Sequence, residues 1–121
     1  MIDGTRAFSG FSVDDIPAAK AFYTDVLGLI VTEENGMLNL EIGGDKHVLV
    51  CPKNNHEPAT YTVLNFPVGD IEATVDQLRA AGVEFEMYPN VDDKGIFRGD
   101  GPLIAWFTDP AGNVFSVIAQ D

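Results

Sequence analysis

The sequence predicts an α+β fold made of two tandem βαβββ modules. Seven or eight apolar, β-prone stretches are interrupted twice by segments of helical periodicity. Both helical segments carry the pattern F-x-V-x-D-I-x-A, which begins at Phe11 and again at Phe66, 55 positions later. A chain of 121 residues is expected to form one domain, 1–121. Module one is predicted over about 5–52, a linker over about 53–59, and module two over about 60–120.

The two helices are predicted from apolar residues that recur at three- and four-residue steps. Asp14 or Asp15 is placed to cap the first helix, and Asp70 the second. Gly28 and Gly82 are expected to end them. The apolar stripes are Ile16, Ala19, Tyr23 and Val26 in the first helix, and Ile71, Val75 and Leu78 in the second.

Three strand-like runs follow each helix. The first set is "LIVTEE", "MLNLEI" and "KHVLVC", and the second is "VEFEMY", "LIAWFT" and "NVFSVI". The turn "DPAGN" joins the last two runs, and "PNVDDKGIFRGDGP" is predicted to be a longer polar loop. "PKNNHEPA" is interpreted as the linker between the modules.

Alternation along each strand sorts its side chains between a helix-covered face and a cavity face. Phe11 and Val13 are expected to face the first helix, which leaves Phe8, Gly10 and Ser12 for the cavity. In the later strands the residues predicted to face the cavity are Val63, Asn65, Pro67, Val114, Ser116, Ile118 and Gln120.

The charge balance argues against a nucleic-acid partner. The net charge is −12, from 19 acidic and 7 basic residues, so phosphates would be repelled. The charge would favour encounter with cationic small molecules or basic partners. The acids are scattered along the chain, however, which favours a role in solubility or adaptation to salt. No apolar run approaches 18 residues, so no membrane partner is expected, and a cytoplasmic location is predicted.

Three segments cover most of the chain: "FSVDDIPAAKAFYTDVLGL", "LNFPVGDIEATVDQLRAAGVEF" and "IAWFTDPAGNVFSVIAQ". In this order they resemble the vicinal oxygen chelate superfamily, which includes glyoxalase I, extradiol dioxygenases and bleomycin-resistance proteins. The resemblance implies a cup-shaped, partly open mixed sheet, to which each module contributes half. It also implies a divalent metal at the base, held by His or Gln and Glu side chains. Homodimers are common in the family, so a homodimer is expected.

The family's metal-ligand positions carry no ligands in this chain. They correspond to Phe8, Val63, Ser116 and Val48, with Val50 as an alternative to Val48. Phenylalanine and valine offer no lone pair to a metal. We therefore expect no cofactor and no divalent metal site.

The remaining reactive side chains are expected to play ordinary structural roles. His47 alternates with Val48 and should point to the helix side or a rim, although a one-residue change of register would reverse this. His56 falls in the linker and is expected to be solvated or capped. Cys51 is the only cysteine, so it forms no intrachain disulfide and is interpreted as a small buried hydrophobe.

What remains is an apolar cavity with a few polar points, which suits a small-molecule ligand. Tyr61 and Trp106 could stack on a planar or cationic guest, although Trp106 is equally compatible with a core position. Arg98 lies in the long loop and could pair with an anionic group or be solvated. The candidate ligand-binding residues are Phe8, Ser12, Asn39, Val48, Tyr61, Val63, Asn65, Arg98, Trp106 and Ser116.

Four functions remain open. The first is a metal-independent protein that binds a small molecule, by sequestering a cationic or aromatic compound such as a bleomycin-type drug. The second is a metal-dependent lyase, isomerase or dioxygenase with displaced ligands, which requires His47 or a carboxylate to face inward. The third is a metal-free enzyme using Tyr61 or Ser116 for acid-base chemistry, and the fourth is a dimeric scaffold. No residue is assigned a catalytic role.

Overall fold

The computed structural model describes residues 1–120, in which eight strands and two α-helices follow one another in the predicted order. The chain divides into two units, Met1–Glu57 and a second that begins at Pro58, so the boundary falls inside the predicted linker. The helices are α1 (Ile16–Ala21) and α2 (Ile71–Ala80). The strands are β1 (Ser9–Val13), β2 (Ile30–Glu34), β3 (Met37–Gly43), β4 (Lys46–Pro52), β5 (Thr62–Val68), β6 (Ile96–Phe97), β7 (Ile104–Thr108) and β8 (Val114–Ala119).

Both helices begin at the predicted aspartates. Asp15 and Asp70 each accept a hydrogen bond from the backbone N–H three residues later, at 3.0 and 3.1 Å. The first helix continues beyond α1 as a π-helical turn, Phe22–Val26. Gly28 and Gly82 follow with φ of +71° and +100°, a backbone region that favours glycine. Within residues 1–120, neither helix has the length and apolar character needed to cross a membrane.

Each unit contains one four-stranded mixed sheet. The strand orders are β1-β4-β3-β2 in the first unit and β5-β8-β7-β6 in the second. The β1–β4 and β5–β8 pairs are parallel, and the other neighbours are antiparallel. The same order and the same directions in both units confirm the α+β fold with tandem βαβββ modules.

The core of each unit lies between its sheet and its helix. Phe11 on β1 meets Tyr23 with ring centroids 6.4 Å apart, which confirms that this face of β1 is covered by the helix. Phe66 on β5 and Phe115 on β8 meet at 6.1 Å on the corresponding side of the second sheet. The buried apolar residues are Val13, Ala19, Tyr23, Leu38, Leu40, Val48 and Val50 in the first unit, and Ile71, Val75, Val83, Phe85, Ile96, Ala105, Phe107, Phe115 and Val117 in the second.

The segment "VEFEMY" does not form the predicted strand. It makes a single β-bridge, from Phe85 to Phe107. The strand beside β7 is β6, which lies within the stretch predicted to be a polar loop. Asp92 explains the difference, because its Oδ1 accepts hydrogen bonds from the backbone N–H groups two and four residues later, both at 2.9 Å. This side-chain turn reverses the chain between Val91 and Phe97, which form an antiparallel bridge, and β6 begins where the turn ends.

The turn between β7 and β8 is held by a buried carboxylate. Asp109 is only 4% exposed. Its Oδ1 accepts from the backbone N–H of Ala111 at 3.0 Å and of Asn113 at 2.8 Å, and its Oδ2 accepts from the Asn113 side-chain amide at 3.1 Å. Gly112 supplies the positive φ of +84°. The predicted turn is therefore confirmed, and the carboxylate is its central acceptor.

Candidate functional site

A row of polar and aromatic side chains crosses the second sheet on the face away from α2, which we call its distal face. Asn65 on β5 pairs with Ser116 on β8, and Ser116 pairs with Trp106 on β7. Directly paired residues project from the same face of a sheet. The Ser116 hydroxyl donates a hydrogen bond to Asn65 Oδ1 at 2.6 Å. Ser116 is fully buried, whereas Asn65 is exposed.

Three aromatic rings meet at the end of this row. Trp106 lies 5.5 Å from Tyr88 and 6.2 Å from Phe97, measured between ring centroids. We call Tyr88, Phe97 and Trp106 the aromatic cluster. Tyr88 is 43% exposed, so the cluster is open to solvent on one side. The sequence analysis missed Tyr88 and Phe97 because it assigned Tyr88 to a strand and Phe97 to a polar loop. The available signal was the aromatic character of these two residues, one just before the predicted loop and one within it.

Two further predicted residues lie near this row along the chain. Val63 precedes Asn65 by two positions on β5, and it is partly buried. Tyr61 lies just before β5 and is 70% exposed.

Trp106 projects from the distal face rather than into the core, since its neighbours Ala105 and Phe107 are the buried residues of β7.

Arg98 is engaged by carboxylates of its own chain. Its Nε donates to Asp92 Oδ2 at 2.8 Å, and a terminal nitrogen lies 3.5 Å from Glu72. Lys94 likewise pairs with Asp76 at 3.2 Å and with Glu72 at 3.7 Å. Burial raises the pKa of Asp92, but the hydrogen bonds from Arg98 and from two backbone N–H groups outweigh it and hold that pKa below the ordinary 3.8. The loop is thus tied to α2 by ion pairs.

Val48 is not a cavity residue, contrary to the sequence analysis. It is 4% exposed and pairs with the buried Leu40, so it faces the helix-covered core. Ser116 pairs with Asn65, and the repeat places Asn65 55 positions after Gly10. Gly10 pairs with Leu49, so Leu49 is the counterpart of Ser116 in the first unit. The error is one residue of register. It arose from aligning two turns of different construction, the first of which includes an irregularity between Glu41 and Gly43.

The same shift places His47 on the distal face of the first sheet, away from α1. Its ring lies 4.5 Å from the Phe8 ring, and it pairs with Glu41 on β3. Phe8 itself is 56% exposed. Of the orientations considered for His47, the helix side is therefore wrong, and the one-residue change of register that would reverse it is observed. His47 lines a cleft of about 240 Å³ together with Thr32, Asn39, Glu41, Gly44, Asp45 and Lys46.

Two more contacts on the first unit join side chains that the sequence did not connect. Ser12 projects from the face opposite Val13, as predicted, and its Oγ lies 2.6 Å from His56 Nδ1. His56 is thus anchored to β1 by a side-chain hydrogen bond. Cys51 Sγ on β4 lies 3.9 Å from Met37 Sδ on β3, and both residues are partly buried.

The residues expected to hold a divalent metal in the family do not assemble a donor set. Phe8 and Val63 have no donor atom, and the Ser116 hydroxyl is already bonded to Asn65. Residues 1–120 contain no group of three or more His, Cys, Asp or Glu side chains arranged to bind a metal ion.

Comparisons with known proteins agree with this fold. The family model described as Glyoxalase/Bleomycin resistance protein/Dioxygenase superfamily matches residues 7–117. A search of curated proteins finds no match. Among solved structures, the chain is similar to an antibiotic binding protein, TnmS3, from Streptomyces sp. CB03234, with 20% identity, 99% of this chain and 100% of that chain covered, and a TM-score of 0.71.

Two further solved structures are similar over nearly their whole length. The fosfomycin resistance protein FosX from Listeria monocytogenes is 18% identical, with 100% of this chain and 96% of that chain covered and a TM-score of 0.73. A glyoxalase family protein from Enterococcus faecalis is 24% identical, with 92% and 94% covered and a TM-score of 0.68. At these identities the similarity shows the fold alone.

Proposed function

Because the chain belongs to the Glyoxalase/Bleomycin resistance protein/Dioxygenase superfamily, we propose that it binds a planar aromatic or cationic small molecule without a metal ion. The site is the distal face of the second sheet. The observation that carries this proposal is the Ser116–Asn65 hydrogen bond directly beside the aromatic cluster. Ser116 stands where the family would be expected to have a metal-binding carboxylate, and this chain has a neutral hydrogen-bonded pair there instead.

The polar pair has one end buried and one end exposed. The Ser116 hydroxyl donates its hydrogen bond to Asn65 Oδ1, which orients the Asn65 side-chain amide. The amide nitrogen of Asn65 then presents N–H donors from an exposed residue. A ligand carbonyl or ring nitrogen could accept from them, so the pair supplies orientation in a site whose other members are mainly apolar.

The aromatic cluster supplies the contact area. A planar guest can stack on Trp106 or Tyr88, and a cationic guest gains an additional attraction of about 0.5–2 kcal/mol from the ring faces. The net charge of −12 raises the local concentration of cations around the chain. Both effects favour a planar cation over an anion of the same size.

The similarity to an antibiotic binding protein supports a sequestering role. That protein shares the fold with this chain over nearly the whole length of both. Sequestration needs only affinity, and it requires no catalytic group. The distal face of the second sheet meets that requirement, since its polar pair and aromatic cluster can bind a guest without reacting with it.

The intrinsic fluorescence of the protein provides the test. Trp106 is the only tryptophan, so the tryptophan emission comes from the aromatic cluster, and the Tyr88 variant below tests whether the ligand binds there. We expect saturable quenching by a planar acridinium dye or by metal-free bleomycin, weaker quenching by a planar sulfonate, and the same Kd after treatment with EDTA. Tyr88→Ala should weaken binding about tenfold, or about 1.4 kcal/mol, whereas Ile30→Ala, which removes an exposed apolar side chain of the first unit, should not.

Two results would reject the proposal. One is the absence of saturable quenching by either the dye or bleomycin. The other is binding that EDTA abolishes and a divalent metal restores, because the ligand would then be held through the metal.

The position of His47 favours a second candidate, a metal-dependent lyase, isomerase or dioxygenase. That function requires an imidazole or carboxylate on the side away from the helix, where His47 and Glu41 both lie. Titration with Mn²⁺, Zn²⁺ and Fe²⁺ followed by calorimetry separates the two candidates. Stoichiometric binding that is lost in His47→Ala would support the enzyme, whereas weak binding unaffected by this change supports the metal-independent protein.

A further inference from the structure

The turn between β2 and β3 consists of two residues, Asn35 and Gly36. Glu34 at the end of β2 pairs with Met37 at the start of β3, so only these two residues join the strands. Their φ angles are +56° and +77°, the combination of a type I′ turn, for which Asn-Gly is a preferred sequence. Both residues are exposed to solvent.

The reactive atoms of this turn are not held by the rest of the fold. Within residues 1–120, neither the side-chain amide of Asn35 nor the backbone N–H of Gly36 has a hydrogen-bond partner. A Cβ atom built on Gly36 would meet no atom within 4 Å, so the space beside this residue is open. The Gly36 nitrogen is therefore accessible both to solvent and to the side chain that precedes it.

We propose that Asn35 is a site of spontaneous deamidation. The backbone nitrogen of Gly36 loses its proton to hydroxide and attacks Cγ of Asn35. The new N–Cγ bond closes a succinimide ring, the Cγ–Nδ2 bond breaks, and the departing amide takes a proton from water and leaves as ammonia. Water then opens the ring at one of its two carbonyl groups, which gives either aspartate or isoaspartate at position 35.

The sequence favours this turn over every other asparagine. Asn35 is the only asparagine that precedes a glycine, and a glycine lets the attacking backbone approach most closely because it has no Cβ. Asn113 is also 2% exposed and bonded to Asp109, and Asn65 accepts a hydrogen bond from Ser116. The residues that follow the remaining asparagines all carry larger side chains: Leu40, Asn55, His56, Phe66, Val91 and Val114.

Isoaspartate in this turn should loosen β2. In isoaspartate the main chain runs through the former side chain, so the turn gains one methylene and no longer fits the type I′ geometry. The strand β2 is at the edge of its sheet and pairs only with β3. Val31 is its only residue that is not fully exposed, so β2 depends on that ladder and on the turn.

The modification goes beyond the proposed ligand binding and does not depend on it. Asn35 and Gly36 belong to the first unit, whereas the proposed ligand site lies on the second. The product also adds a carboxylate next to Glu33 and Glu34 when the ring opens to aspartate, which increases like-charge repulsion at the end of β2.

Incubation of the native chain at pH 6 and pH 8, followed by peptide mass spectrometry and an ammonia assay, tests the reaction. Asn35 should convert to the acid before any other asparagine, and faster at pH 8, because hydroxide removes the Gly36 proton. Gly36→Ala should slow the conversion at least about tenfold by adding a Cβ to the attacking residue. Asn54→Gln, the matched change at another exposed asparagine of the first unit, should release ammonia as the native chain does.

Hydrogen exchange of the products tests the effect on β2. The isoaspartyl form, separated by chromatography, should lose amide protection in β2 and retain it in β4. Asn35→Asp has the charge of the product without the longer main chain, so it should keep native protection in β2. Isomerisation at Asp3 or Asp100, which also precede glycines, releases no ammonia and is thereby distinguished.

Three results would overturn the proposal. The first is an intact Asn35 after another asparagine has been converted. The second is release of ammonia from Gly36→Ala at the native rate. The third is an isoaspartyl form whose β2 is as well protected as in the native chain, because the turn would then tolerate the longer main chain.

Discussion

Ser116→Glu places a carboxylate where the family's metal ligand would be expected, and we expect it to damage the fold. The native side chain is fully buried and bonded to Asn65. The change removes that hydrogen bond, worth about 1 kcal/mol. It also inserts a larger side chain into a packed site, at about 1–3 kcal/mol. Burial of an unpaired carboxyl group adds a further cost. The expected loss is at least about 4 kcal/mol.

Differential scanning calorimetry measures this loss. For a chain of this length, 1 kcal/mol corresponds to roughly 3–5 °C in Tm, so the glutamate variant should unfold at least about 12 °C below the native protein at pH 8. Ser116→Ala, which removes only the hydroxyl, should lower Tm by about 3–5 °C. Ser116→Gln matches the size and shape of glutamate without its charge, and it isolates the cost of the carboxylate.

The pH dependence provides a second check on the glutamate variant. Burial raises the folded-state pKa of the introduced carboxyl group above its unfolded value of about 4.3. Between those two values the folded state binds more protons, so the stability of the variant falls as pH rises. The Tm difference between the glutamate and glutamine variants should therefore be smaller at pH 5 than at pH 8.

Two results would refute this reasoning. The first is a glutamate variant that unfolds within about 2 °C of the native protein at pH 8, given that about 3–5 °C is expected for loss of the hydroxyl alone. The second is recovery of most of the lost Tm on addition of Zn²⁺ or Mn²⁺. That recovery would show that a divalent metal site is complete apart from one ligand.

Three further changes test other parts of the structure. Asp109→Ala removes three hydrogen bonds to a buried carboxylate and should lower the free energy of unfolding by at least about 3 kcal/mol in urea titrations; an unchanged midpoint would contradict that role. Arg98→Gln should raise the pKa of Asp92 toward 3.8, as measured by NMR titration of the carboxyl carbon. In the native protein, the stabilisation from the Arg98–Asp92 pair is present above pH 3.8 and is lost as the pH falls through the lowered pKa. Val48→Asn should cost at least about 2 kcal/mol by burying an unpaired amide, and Leu49→Asn should cost less, if the observed register is correct.

The parts of the fold that follow from local chemistry could be predicted from the sequence. The caps at Asp15 and Asp70 depend on one side chain and the backbone next to it, and Gly28 and Gly82 depend on a single backbone angle. The shared face of Asn65 on β5 and Ser116 on β8 was also assigned correctly, as the hydrogen bond between them shows. In these cases the information lies within a few residues or in strict alternation.

The features that failed depend on contacts between distant strands. The position of Val48 required the pairing of β4 with β1 and β3, and a one-residue difference between two turns moved every side chain of that strand to the other face. The strand β6 was missed because Asp92 turns the chain through its own side chain, within a stretch whose polarity resembles that of a loop. As a result, Phe97 and Tyr88 could not be connected to Trp106 from sequence alone.

The corrected register changes what the two modules imply about metal chemistry. The row Asn65–Ser116 in the second unit corresponds to Gly10–Leu49 in the first. The Asn65–Ser116 pair is neutral and polar, whereas the Gly10–Leu49 pair has no polar side chain, and the row of the first unit continues from Leu49 to Asn39 on β3. A single lost ligand could be restored by one substitution, but here the equivalent positions of both repeats lack a metal donor. Restoring a carboxylate at Ser116 would therefore leave the first unit without its counterpart, which is why the glutamate variant is expected to gain instability without gaining a divalent metal.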